Sequence, residues 1–239
     1  MSEEYLNWMS NFSKRELTSL DKVFPLTVKK DYFSLDKIKK AKKWWEDNGV
    51  NLSHNRRFCF IGSFMSVFDF DQVKDAIILL EKKTTDFQIV IAGSGDFHDE
   101  ITCKYVGMKN VIFPGWIDAP KIYVLAKHSR GSIIPYKNID NFTMNIPNKV
   151  VDALANSLPI ITTLEGAVAN LVNEYHAGFS CNPKSGIKLH NVFENLLYDD
   201  LLFEKISKNA YCLFKKKFNY DLIYGNFAKH LEKISNPHE

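Results

Sequence analysis

The feature that most limits what this chain can become is a rhythm that begins near residue 57. Short apolar runs alternate with segments whose apolar residues recur every three or four positions. The runs at 57–61 (RFCFI), 87–92 (FQIVIA), 111–113, 132–135 (SIIP), 159–162 (PIIT) and 177–180 read as strands. They are continuously apolar, as strands of a parallel sheet covered on both faces must be. Segments at 71–83, 96–106, 118–128 and 147–155, with a turn at 168–172, read as helices between them. Three more helical segments, near 187–198, 201–217 and 220–234, follow. The alternation predicts an α/β fold, a doubly wound, Rossmann-like parallel sheet that binds ligands beyond the carboxyl ends of its strands.

Residues 1–55 differ in character. A short helix is expected over 4–12, and Pro25 holds Phe24 in an extended segment. A charged helix follows, with Ser34 as N-cap and Gly49 as C-cap. Its Ile38, Ala41, Trp44 and Trp45 recur at helical spacing and are expected to pack on a neighbour. The organisation expected is an extension at 1–55, a Rossmann-like domain at 56–218 and a closing helix at 219–239.

Composition excludes several classes. Lys and Arg number 31 against 28 Asp and Glu, giving +3. That leaves no field for nonspecific nucleic-acid binding, so any anion site must be local. Cys59, Cys103, Cys181 and Cys212 have no metal-ligand spacing and read as four small buried hydrophobes in a reducing compartment. The seven histidines are scattered, so no metal is expected. The first residues lack a basic stretch and an apolar run, and no window reaches about 18 apolar residues. The expectation is a cytoplasmic chain without a membrane span, with peripheral membrane contact left open.

Gly62, Gly93 with Gly95, Gly115 and Gly166 follow predicted strands. Each permits a close approach to a ligand or simply serves a turn. Gly93-Ser94-Gly95-Asp96 begins like a dinucleotide fingerprint, but His98 stands where the third glycine belongs, so a turn with Asp96 capping the next helix is expected. The stretch NFTMNIPNKVVDALANSLP at 141–159 is the most informative. A polar loop leads to Pro147 at the first helical position, with Asn148 and Lys149 in the first turn. Free amides and partial positive charge at a helix N-terminus favour phosphate. A lysine there is slightly destabilising, by about 0.3–1 kcal/mol, unless an anion binds. Equally, Lys149 could be an ordinary solvated side chain. Asp152, one turn on, is either an acceptor for ligand hydroxyls or a solvated carboxylate.

The span 58–183 resembles the donor-binding domain of retaining glycosyltransferases of family four, which have the GT-B fold. The matching pieces come in order: FIGSF with FDFDQVKDAI, IVIAGSGD, NVIFPGWIDAPKIYVLAKHS, IPNKVVDALANSLPIITT and HAGFSCNP. The resemblance implies a role for each position. Gly62, Ser63 and Phe64 would lie near the donor diphosphate. Gly115, Trp116 and Ile117 would border the nucleobase, mostly by backbone. Asn148 and Lys149 would face the diphosphate, Asp152 would hold the ribose, and Asn145 would join the donor-binding set. Lys149 and Asp152 would be the catalytic pair. No cofactor is implied beyond the nucleotide-diphospho-sugar substrate.

Departures from the pattern are equally specific. Many relatives carry two glutamates where this chain has Met144 and Asp152, and Met144 cannot accept a hydrogen bond from a sugar hydroxyl. Their basic residues after the first glycine loop are replaced in a region holding Ser63 and Asp71. Residues 1–55, with DKVFPL at 21–26, resemble the exit from a first GT-B domain, so an acceptor-binding domain or subunit is an expected partner. The implied function is hexosyl transfer with retention in polysaccharide or glycoconjugate synthesis. The alternative is a non-catalytic nucleotide-sugar-binding module; an NAD-dependent or epimerase-like enzyme ranks below both.

Overall fold

The computed structural model describes residues 2–29, 32–182 and 185–235. Pro183, the last residue of the resemblance, lies outside them. The strands are β1 (Arg57–Ile61), β2 (Gln88–Ala92), β3 (Val111–Ile112), β4 (Gly131–Ile134), β5 (Ile160–Thr162) and β6 (Gly178–Ser180). All pair in parallel, in the order β3-β2-β1-β4-β5-β6. The order reverses between β1 and β4, and a doubly wound sheet opens its ligand crevice at such a point.

The helices are α1 (Glu3–Ser13), α2 (Leu35–Asp47), α3 (Phe70–Glu81), α4 (His98–Lys104), α5 (Ala119–Lys127), α6 (Asp140–Thr143), α7 (Asn148–Ala155), α8 (Ala167–Tyr175), α9 (Leu189–Tyr198), α10 (Asp200–Lys217) and α11 (Tyr220–Ser235). Right-handed crossovers put α3 and α4 on one face and α5, α7 and α8 on the other. A second shell packs α9 on α3, α2 on α5 and α10 on α7. The core runs through β1, β2, β4 and β5, and Val111 and Ile112 of β3 and Phe179 of β6 are partly buried against it. Phe58 is fully buried and its ring lies 4.6 Å from that of Phe193 on α9.

The amino end of the sheet is held by two buried arginines. Arg57 donates to the carbonyls of His128 (2.6 Å) and Asn51 and to Gln88 Oε1 (2.9 Å). Desolvation pushes its pKa down to about 10. Arg130 donates to Leu196 O (2.8 Å) and to the Asp200 carboxylate.

Several local expectations are corrected. Asp96 does not cap α4; Phe97 occupies the N-cap and makes no side-chain cap bond. Pro147 is the N-cap of α7, at ψ 149°, rather than its first helical residue. The polar loop before it contains the one-turn helix α6, and the turn at 168–172 is a full helix. Trp45 is buried and its Nε1 donates to Lys121 O at 2.9 Å, as packing on α5 requires. Only Cys59 and Cys181 are buried; Cys103 and Cys212 are exposed.

Candidate functional site

The crevice at the ends of β1 and β4 is partly roofed by its own loops. After β1 the chain turns back so that Phe68 bridges Tyr136, which follows β4. Asp69 N donates to Pro135 O (2.6 Å) and Lys137 N to Val67 O (2.8 Å). Between β1 and β2 the loops approach closely. Phe64 N donates to Ser94 O at 2.8 Å. A Cβ on Gly93, at φ +145°, would stand 1.8 Å from Gly62 O. Gly93 is therefore required by the packing of two loops, not by a dinucleotide.

Helix α7 opens beside this roof. Among the described residues, the Asn148 and Lys149 amides have no backbone acceptor, as expected for a first turn. The Lys149 side chain folds toward β1, where Nζ donates to Ile61 O at 3.2 Å. It lies 5.1 Å from the Phe60 ring centre and 5.4 Å from that of Phe68. Desolvation lowers its pKa, and the nearby Asp152 charge opposes that shift. Asp152 is exposed at residue level, yet neighbouring side chains crowd its carboxyl. Desolvation raises its pKa while Lys149 lowers it.

Lys149 borders two cavities. One, of about 280 Å³, lies between α5 and α7 and is lined by Asp152, Ile122, Tyr123 and Ser132, with Val28 and Phe33 from the extension. The other, of about 410 Å³, lies at the α7 N-terminus and is lined by Asn145, Asn148, Tyr136 and Leu26. The structure thus gathers Lys149 with Asp152 on one side and with Asn145 and Asn148 on the other.

The remaining expected residues stand differently. Neither cavity wall includes Ser63, Phe64 or residues 115–117. Phe64 and Ile117 are core side chains, at 1% and 4% exposure, so only their main chains can meet a ligand. Trp116 is 71% exposed, free to stack on an incoming ring. Met144 is half-buried and its carbonyl accepts from Ser2 Oγ. Sequence reasoning missed Phe68, Tyr136 and Tyr123; the density of phenylalanine from 58 to 70 was the one signal for the first.

Among the described residues, no three His, Cys, Asp or Glu side chains converge as metal ligands. No helix there is long and apolar enough to cross a membrane.

Solved structures share this architecture. Sucrose-phosphate synthase (tll1590) from Thermosynechococcus elongatus matches 99% of this chain with a TM-score of 0.70 and 14% identity, over 58% of its own length. Alr3699/HepE from Anabaena, solved in complex with UDP and glucose, matches 84% at TM-score 0.66 and 16% identity, over 53% of its length. The C-terminal domain of the group 1 glycosyl transferase LpcC from Francisella tularensis matches 75% at TM-score 0.59 and 22% identity, over 93% of its length. The chain therefore spans a little over half the length of HepE and of the sucrose-phosphate synthase. No curated protein is significantly similar in sequence. The family model for "Glycosyl transferases group 1" matches residues 55–199, more than half of the chain. Because that match runs through all six strands and the crevice they frame, the chain belongs to the group 1 glycosyl transferases and has the fold of a C-terminal GT-B domain.

Proposed function

We propose that this chain is the donor-binding half of a nucleotide-sugar-dependent hexosyltransferase that acts with retention in polysaccharide or glycoconjugate synthesis. The observation that carries the reading is the position of Lys149 between the two cavities, beside the opening of α7. A diphosphate there would meet the ammonium and the unpaired first-turn amides together. The ribose would then reach Asp152 in the α5–α7 cavity, and the sugar would extend toward Asn145 and Tyr136. Trp116, Gly115 and Ile117 would border the base, and Gly62, Ser63 and Phe64 the phosphates, by backbone.

In the reaction the bond from the anomeric carbon to the β-phosphate oxygen breaks. A bond to an acceptor oxygen forms on the same face, and the acceptor's proton passes to the departing diphosphate oxygen. The protein's contribution is electrostatic: charge that develops on the departing diphosphate is met by groups already oriented for it. Acceptor binding belongs, in this reading, to a separate domain or subunit. HepE was solved with UDP and glucose, so uridine donors are the first to try.

Calorimetry of the folded chain with UDP, GDP and ADP tests the proposal. Binding of at least one is expected, and Lys149→Ala should weaken it by about tenfold or more, the scale of one lost charge-assisted contact. A folded chain that binds none of the three would sink the reading. The second reading, a non-catalytic module, is favoured by Met144 in place of a hydroxyl-binding carboxylate. Hydrolysis or transfer of a sugar nucleotide by this chain alone would exclude it.

A further inference from the structure

Lys149 does not lie where a free side chain on a helix end would lie. Its ammonium is seated by groups from a different element. Ile61 O, the last carbonyl of β1, accepts a hydrogen bond from it at 3.2 Å. Two aromatic rings, both buried, stand 5.1 and 5.4 Å from it, within cation–π range. The fourth side of the seat is a missing side chain: a Cβ on Gly62 would lie 1.6 Å from Nζ.

The rings are not free to move. The Phe60 and Phe68 centroids are 5.0 Å apart, nearly perpendicular, and Phe68 also meets Tyr136 at 4.5 Å. The Phe68–Tyr136 bridge fixes the backbone behind them. Among the described residues no carboxylate is in ion-pair contact with Lys149, so the seat fixes the cation without neutralising it. The other titratable groups around it are Asp152 on its own helix, Lys29 and Tyr123 across the α5–α7 cavity, and Tyr136 across the other.

We propose that Phe68, with Phe60, is a positioning residue that aims the Lys149 ammonium at an incoming diphosphate, the ammonium lying in the space left open by Gly62, whose backbone at φ +150° already calls for glycine. This rests on the donor-binding reading. It adds that phosphate recognition depends on two buried rings that line neither cavity.

The test compares Phe68→Leu with Phe70→Leu, which removes a ring from the same cluster without touching Lys149. Affinity is measured for the best of UDP, GDP and ADP and for its nucleoside. Phe68→Leu should cost about tenfold for the diphosphate and leave the nucleoside within twofold, while Phe70→Leu should change neither. An unchanged diphosphate affinity in Phe68→Leu, or equal losses in both variants, would overturn the proposal. A second readout needs no ligand. The Lys149 Cε resonance is followed through its titration in the full chain. Leucine keeps the site apolar but removes the ring's attraction, so the Lys149 pKa should fall further in Phe68→Leu. A rise, or no change, would show that Phe68 merely shields the amine and would end the proposal. If the wild-type chain binds no nucleotide, the functional reading fails and the phosphate half of the proposal fails with it; the titration still decides whether the seat exists.

Discussion

At the scale of single residues, Lys149 and Asp152 show how burial turns ordinary charges into a site. Both carry shifts whose largest cause is desolvation, in the direction that disfavours the charged form, and each partly offsets the other. The consequence for Lys149 is a sign that experiment can read. Diphosphate binding needs the ammonium, and its pKa is lowered, so affinity should decline with rising pH before the ordinary lysine value of about 10.4 is reached. Calorimetry between pH 7 and 10 checks this; a flat profile would remove Lys149 from the phosphate contact. For Asp152 the folded-state pKa is raised. Its charge therefore costs the folded state a little at neutral pH, and that cost fades as pH falls through the raised value. Asp152→Asn should accordingly leave thermal stability unchanged or slightly higher. It should weaken nucleotide binding by about tenfold and leave a 2′,3′-dideoxy nucleotide unaffected. Equal losses for both nucleotides would place the carboxylate elsewhere than at the ribose.

At the scale of elements, those with one strong apolar face were legible and those held by single contacts were not. β1 and the helices α2, α5 and α7 stand where their patterns place them, to within a residue or two. Ser34 caps α2 as its side-chain chemistry requires. The one-turn α6 escaped notice because it buries no side chain and Ile139, at its N-cap, makes no side-chain cap bond. The start of α4 was misplaced because Gly95 is pinned under the Phe64 loop, which leaves Phe97 to open the helix. The link from α2 to the sheet rests heavily on Trp45, fully buried and bonded to Lys121 O. Trp45→Ala should cost about 3–5 kcal/mol and lower the melting temperature by about 10 °C. A change of under 2 °C or so in a melting curve would show that α2 is only loosely attached.

At the scale of the whole molecule, stability should be graded from the centre of the sheet outward. β1 and β4 lie in the middle, with Phe58, Phe60, Ile133 and Ile134 buried at 0–2% exposure. Helix α1 buries none of its residues, and of its stacked Tyr5, Trp8 and Phe12 the last two are exposed. Amides of β1 and β4 should exchange only through global unfolding, and those of α1 within minutes. Protection of α1 equal to that of β1 would mean that its aromatic stripe is covered. The amino-acid sequence by itself determined the strands, the helices that carry their own periodic faces, and the doubly wound class, because those follow from local pattern and chain connectivity. It also marked the α7 opening, because proline, asparagine and lysine before an apolar face have a local meaning. Only the tertiary structure decided that Lys149 leaves its own helix for a seat made by β1, that Gly62 and Gly93 serve close approach, and that Phe64 belongs to the core. Those outcomes depend on which distant segments meet at the ends of the strands, and no local pattern carries that information.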